Sequence, residues 1–318
     1  IKIARPMGNV STVTFCSSAN LGPGFDVMAL ALDVFYDRIL VSEGEKTHSP
    51  SITVAGNGVP SKAEENTAGL SLTRLIEDFG IERSINVKIE KGIPPGLGLG
   101  SSGASAVGAV LAADKLFNLG LTKEKIVEYS MYGEIASSGT PHPDNVAAAA
   151  FGNLAIVTSI DPLRVRSFRV AENLSFLLMM PELRIENKTR RCRELVPSTV
   201  HMHDVVSNSR SLASLLPGLL SGDAELLSAG LEDRIVEEAR KPLYQYYEEL
   251  KKAMVNHGAI GACLSGAGPS VLVFLDAGTP INPLLKVAQS IFGKYGYKVT
   301  FALARPAGGA AIEQSDTY

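Results

Sequence analysis

The sequence predicts an α+β fold divided into two domains, on three observations. Strand-like and helix-like stretches intersperse through the first half; an Asp161-Pro162 break interrupts the pattern near the middle; and the second half runs strand, helices, strand, helix, strand. At 318 residues the chain is long enough for two ordinary domains with an apolar core in each. The boundary is expected near residue 165, giving domains at 1–165 and 166–318.

Residues 10–16, 37–42, 51–55 and 85–90 have the pattern of strands, and residues 67–79, 102–118 and 123–136 that of helices, an α+β or α/β layout. Gly120 stands where a helix C-cap belongs, and Thr122 can cap the helix that follows. An apolar run at 147–151 leads into a strand at 154–159, which Asp161-Pro162 ends. Beyond the boundary, 174–180 reads as a buried strand, a basic segment follows, and helices are expected over 205–220 and 224–255. A strand at 271–275, a helix at 283–293 and a strand at 298–304 close an order that resembles a ferredoxin-like domain.

Composition excludes several classes of function. With 30 Lys and Arg against 33 Asp and Glu the formal net charge is −3, so no general field attracts nucleic acid or an anionic membrane. Any anion site must be built locally. Cys16, Cys192 and Cys263 are an odd number, far apart and without CxxC spacing, which suggests neither a disulfide framework nor a zinc site and points to reducing cytoplasm. No stretch approaches about 18 consecutive apolar residues, and Ile1-Lys2-Ile3-Ala4-Arg5-Pro6 lacks the apolar centre of a secretory leader. The chain is expected neither to cross a membrane nor to be exported.

The most informative segment is Pro94-Pro95-Gly96-Leu97-Gly98-Leu99-Gly100-Ser101-Ser102-Gly103, which runs into the helical Ala104-Ser105-Ala106-Val107. Glycines let a backbone turn its N–H groups toward an anion, and a helix N-terminus adds unpaired donors and a positive dipole end. The segment therefore reads as a phosphate cradle. Ser101 stands where a P-loop needs lysine, which excludes Walker A. Gly98-x-Gly100-x-x-Gly103 matches the dinucleotide fingerprint, but Glu124, the acidic residue at the right distance, lies in a helix start rather than at a strand end. A Gly-rich turn before a buried helix is the plainer alternative.

Two further loops are unusual. Ser17-Ser18-Ala19-Asn20-Leu21-Gly22-Pro23-Gly24-Phe25-Asp26 has glycines on both sides of a proline, a path tight enough to bring Asn20 and Asp26 to one point; alone it is also an ordinary Asx-rich turn. Gly261-Ala262-Cys263-Leu264-Ser265-Gly266-Ala267-Gly268-Pro269-Ser270 is so poor in side chains that backbone or ligand must approach closely, unless it is simply a tight lead into the next strand.

In this order and at these intervals the three loops resemble the GHMP kinases, over nearly the whole chain. Within that superfamily Gly139-Thr140-Pro141-His142-Pro143-Asp144-Asn145-Val146-Ala147 looks like the Pro-His-Ala-Asp-Asn-Val segment of the homoserine kinases, with Pro143 replacing the commoner alanine. The resemblance implies a two-domain fold, ribosomal protein S5 domain 2-like then ferredoxin-like. It implies ATP-dependent phosphorylation of the L-homoserine hydroxyl, a step toward threonine, with ATP and Mg²⁺ as cofactors and a homodimer as the assembly.

Residue roles follow from the same resemblance. The 94–103 loop would wrap the ATP phosphates, Ser102 and Glu134 would hold Mg²⁺, Lys91 would serve the nucleotide and Asn66 would lie near the adenine. Asn20 and Asp26 would accept from the substrate ammonium with His142 and Asp144 close by. Thr189, Arg193 and Arg240 match the family's carboxylate-binding positions, since arginine takes a carboxylate bidentately. Asn145 stands where mevalonate kinase-like relatives have an aspartate; an amide cannot take a hydroxyl proton, so it would orient the acceptor while positioning and electrostatics do the rest. Other readings stay open: a kinase of the same fold acting on mevalonate or shikimate, a dinucleotide-binding oxidoreductase, or a non-catalytic relative. Asp26, Asp144 and the two arginines separate the first from phosphorylation of homoserine, and Ser102 with Glu134 argues against the last.

Overall fold

The computed structural model describes residues 8–313, the side chain of Ser138 excepted; the leader reading at residues 1–6 lies outside them. In chain order the elements are β1 (Asn9–Asn20), β2 (Gly24–Lys46), β3 (Ile52–Ala55), α1 (Thr67–Phe79), β4 (Arg83–Glu90), α2 (Ser101–Phe117), α3 (Lys123–Ser138), α4 (Asp144–Phe151), β5 (Leu154–Ile160) and β6 (Leu163–Phe168). They continue as β7 (Leu174–Pro181), α5 (Lys188–Glu194), α6 (Met202–Ser221), α7 (Ala224–Gly230), α8 (Val236–Arg240), α9 (Tyr247–Asn256), β8 (Gly261–Leu264), β9 (Val271–Asp276), α10 (Ile281–Lys294), β10 (Val299–Ala304) and β11 (Ala311–Ile312).

Two sheets organise the molecule. The first has the order β11-β1-β2-β4-β3, with β5 joining β2 and β6 joining β5; the second has the antiparallel order β10-β7-β9-β8. That second order, with helices between its first two strands and between its last two, is the ferredoxin-like arrangement the sequence suggested. Small residues let α2 lie flush on the first sheet. A Cβ at Gly108 would stand 2.6 Å from Ile39 Cδ1 and 2.9 and 3.0 Å from the Oγ1 atoms of Thr14 and Thr12, so a larger residue there would push three buried side chains of the sheet aside. One core, including Ile39, Val41, Leu72, Val87, Val107 and Val110, fills the space between the first sheet and its helices. A second, including Leu30, Leu32, Leu99, Phe176, Leu178 and Phe274, joins the two sheets, and a third lines the far face of the small sheet.

Several expected elements need correction. Strand β2 begins at Gly24 rather than residue 37, because the 17–26 loop is the tip of a long hairpin; a register shift between Phe15 and Cys16 absorbs residues 33–35. The apolar run at 147–151 is the end of helix α4, which starts three residues earlier at Asp144. The expected helix over 224–255 is broken into α7, α8, a 3₁₀ turn and α9, since Asp233 accepts from the backbone N–H groups of 235, 236 and 237 and Pro242 follows. The C-cap of α2 is Asn118, with φ 52°, rather than Gly120. Thr122 does cap α3, accepting from Lys125 N at 3.3 Å.

Candidate active site

Folding brings the three unusual loops to one place. The Ser17 N–H donates to Leu99 O at 3.1 Å and the Gly266 N–H to Ala19 O at 3.1 Å, while Ser265 Oγ donates to Gly98 O at 2.8 Å. The hairpin tip, the glycine-rich loop and the β8–β9 loop are thus hydrogen-bonded to one another. They form one side of a cleft of about 400 Å³. At Gly100, the residue before α2, φ is 66° and a Cβ would overlap Ser17 Oγ and stand 2.9 Å from Asn145 Oδ1. Only glycine fits there, and it leaves the N-terminus of α2 open to the cleft.

A buried carboxylate that sequence reasoning missed anchors the loop from beneath. Asp37 Oδ1 accepts from the N–H groups of Gly92 and Ile93 at 3.1 and 3.0 Å, and Oδ2 accepts from Ser105 Oγ at 3.1 Å and from Lys91 Nζ. Lys91 donates further to Ser101 O at 2.9 Å and to Ser105 Oγ at 3.0 Å, so its three protons are all held by protein. Its place is the floor of the loop. Asn66 is likewise occupied: Oδ1 caps α1 through the N–H groups of Ala68 and Gly69, and Nδ2 donates to Pro60 O at 2.9 Å. Both residues still line the cleft, but each does so with its polar atoms engaged in the fold.

Ser102 stands in the first turn of α2, and its Oγ donates to Glu134 Oε2 of α3 at 3.1 Å. Glu134 is 6% exposed, and burial pushes its carboxyl up to about 7 against the hydrogen bond from Ser102. A hydroxyl and a carboxylate at a helix start facing a phosphate-type loop are hard oxygen donors of the kind Mg²⁺ takes beside phosphates, so the pair fits such an ion. Among the described residues no group of three or more His, Cys, Asp or Glu side chains could hold a metal unaided.

Opposite the loop the cleft is lined by charge of both signs. Asp26, with φ 57°, takes two hydrogen bonds of 2.9 Å from Arg193 Nη2, one at each carboxylate oxygen. Arg193 Nη2 also lies 2.6 Å from His142 Nδ1, whose ring is held well below its ordinary pKa, first by burial and then by the Arg193 charge. The ring is neutral there and accepts through Nδ1. Asp144 is buried in the first turn of α4 and accepts from Asn145 N at 2.7 Å; burial, with the Asp26 carboxylate adding to it, raises its carboxyl to about 7. Asn145 Oδ1 accepts from Ser17 Oγ at 2.8 Å, which fixes the amide beside the start of α2. Asn20 is braced into the fold, accepting from Asp26 N at 3.3 Å and donating to Gly266 O at 3.2 Å.

Arg240, at the end of α8, is 4% exposed and donates to Cys192 O at 3.3 Å and Gly266 O at 3.1 Å. Among the described residues no carboxylate pairs with it. Phe25 lies between the arginines, its ring 5.2 Å from the Arg193 guanidinium and 5.4 Å from that of Arg240. Thr189 and the buried Lys188, from the start of α5, complete this end of the cleft. The sequence reading missed Phe25, Asp37 and Lys188. Phe25 sits unremarked between the glycine and the aspartate that end the 17–26 loop, Asp37 opens an ordinary strand pattern, and Lys188 is masked by the basic run that follows it.

Comparison with known proteins gives a consistent result. Residues 66–153 match the GHMP kinases N terminal domain and residues 215–289 the GHMP kinases C terminal model. The homoserine kinase of Sulfurisphaera tokodaii is 44% identical over 302 residues, covering 95% of this chain and 98% of its own length. That of Thermoplasma volcanium is 44% identical over 304 residues, covering 96% of each. Among solved structures, homoserine kinase from Cytophaga hutchinsonii superposes with a TM-score of 0.87 at 27% identity, over 98% of this chain and 100% of that one. A mevalonate diphosphate decarboxylase from Enterococcus faecalis shares the fold at a TM-score of 0.68 and 14% identity, over 97% and 100% of the two chains.

Proposed function

The chain belongs to the GHMP kinase family, and from that premise we propose that its cleft transfers the γ-phosphoryl group of ATP to the side-chain hydroxyl of L-homoserine, giving O-phospho-L-homoserine and ADP. The observation that carries the choice of substrate is the mixture of charge opposite the glycine loop. Asp26 and Asp144 are acceptors suited to an ammonium, and the buried Arg240 fork, with no carboxylate of its own, is suited to a substrate carboxylate. Mevalonate and shikimate carry no ammonium group.

The backbone N–H groups at the start of α2 bind the phosphates, held at their depth by the Asp37–Lys91–Ser105 floor. Ser102 and Glu134 would hold Mg²⁺, which when bound neutralises charge on the phosphates. Asn145, fixed by Ser17, orients the acceptor hydroxyl in line with the phosphorus. An amide takes no proton at ordinary pH, so the proton passes to a phosphate oxygen as the new O–P bond forms. A homodimer in the cytoplasm completes the reading; among the described residues no helix is long and apolar enough to cross a membrane. Two domains are retained, with the joint drawn at 169–173 rather than 165 because β6 hydrogen-bonds β5 in the first sheet.

A coupled ADP-release assay with L-homoserine, mevalonate and shikimate side by side tests this. Turnover is expected with L-homoserine alone. A preference for either other acceptor overturns the substrate, and no ADP release with any of the three overturns the kinase reading.

A further inference from the structure

Lys188 opens α5 five residues before Arg193, and none of the roles above uses it. The residue is 8% exposed and lines the cleft. Its Nζ donates to the carbonyl oxygen of Gly268, and among the described residues no carboxylate pairs with it. The charge acting on it from Arg240 has the same sign, and burial, the larger cause, brings its ammonium down to about 8. A buried cation beside a second cation, with no counter-ion, destabilises the empty cleft. One carbonyl satisfies one of its three protons. An anion in the cleft would satisfy the others.

The position of Nζ says which anion. The Gly268 oxygen that receives its proton stands 2.6 Å from where a Cβ of Gly98 would lie, at the crossing of the β8–β9 loop and the glycine loop. Arg240, which no carboxylate among the described residues pairs with, already offers a planar fork at the acceptor end, the geometry that suits a carboxylate. A lysine is a compact point charge on a flexible stem, and it suits a group whose oxygens move during transfer.

Resting on the kinase reading above, we propose that Lys188 is a further catalytic residue that binds the phosphoryl group as it passes from nucleotide to acceptor. The acceptor oxygen–phosphorus bond forms while the bond from phosphorus to the β–γ bridging oxygen breaks. The hydroxyl proton goes to a phosphate oxygen, and the electron pair of the broken bond leaves with ADP. Lys188 keeps its proton throughout and contributes charge and N–H donors.

The test compares wild type with Lys188→Met, Lys188→Gln and Lys188→Arg, using calorimetric binding of O-phospho-L-homoserine and of L-homoserine, together with kcat. The Met and Gln variants are expected to bind the phosphate ester about 10-fold or more weakly while L-homoserine affinity changes less than about 2-fold. Their kcat falls about 100-fold, and Arg restores part of it. Unchanged affinity for the phosphate ester overturns the proposal. Equal weakening of both ligands also overturns it, since that assigns Lys188 to the substrate carboxylate. Wild-type enzyme that releases no ADP with L-homoserine sinks the kinase reading instead. Loss of an unpaired buried cation leaves the thermal midpoint unchanged or higher, so a folding defect in Met is checked against Gln.

Discussion

Glu134→Gln is expected to lower kcat by about three orders of magnitude while making the ligand-free protein more stable at alkaline pH. The amide keeps the shape and still accepts from Ser102, but it brings no negative charge to a cation held beside the phosphates. The stability effect follows from the raised carboxyl. Between its ordinary value of 4.5 and about 7 the folded protein holds a proton on Glu134 that the unfolded chain has released. Folding stability therefore falls as pH rises through that window and stays low above it, by roughly 3 kcal/mol. The glutamine variant lacks this loss, so at pH 8 it should melt above wild type, and near pH 4 the two should converge. Thermal melts of both proteins from pH 4 to 8 measure this. A gap independent of pH would mean that Glu134 is not a buried carboxyl of raised pKa. Asp144 has a parallel shift and its charge adds to the rise at Glu134, so part of the pH dependence remains in the glutamine variant.

Gly98→Ala should abolish the active cleft and destabilise the protein, whereas Gly96→Ala should be tolerated. Both glycines have φ near 77°, at 78° and 76°, a left-handed conformation that costs an alanine about 1–2 kcal/mol. They differ in what surrounds them. A Cβ at Gly98 would overlap the carbonyl oxygen of Ser265 and stand 2.6 Å from that of Gly268, whereas at Gly96 nothing lies within 4 Å. Backbone oxygens cannot rotate away as a side chain can. The glycine loop and the β8–β9 loop must separate, and the Ser265 Oγ to Gly98 O bond is lost with them. The combined loss is expected at about 3–4 kcal/mol, against about 1 kcal/mol for Gly96→Ala. Urea unfolding and nucleotide titration of the two variants separate the causes. Equal effects at both positions would show that strain alone, rather than the crossing of the loops, sets the requirement.

The glycine-rich path of the 94–103 loop into the start of α2 was legible because glycine and a helix start are local signals. The long hairpin was not, since the same residues that end β1 and begin β2 look like a turn when read alone. Nor was the start of α4 at Asp144, because Pro143 suggests a loop and the helix is only eight residues long. Polar atoms were misplaced for a related reason. Lys91, Asn66 and Asn20 lie at the cleft as their positions suggest, but which way their hydrogen bonds run depends on Asp37, Pro60 and Gly266, residues from other parts of the chain. Burial by distant segments also sets the raised carboxyls of Glu134 and Asp144 and the low ammonium of Lys188. No spacing in the sequence records that.

In the proposed reaction, backbone N–H groups at the glycine loop and the start of α2 grip the triphosphate of ATP. A crystal structure with a non-hydrolysable ATP analogue, Mg²⁺ and L-homoserine tests it most directly. The β- and γ-phosphates are expected against residues 98–103, with the γ-phosphate pointing toward Asn145 and the acceptor hydroxyl. A triphosphate bound on any other face of the molecule, or held by side chains away from this loop, would contradict it.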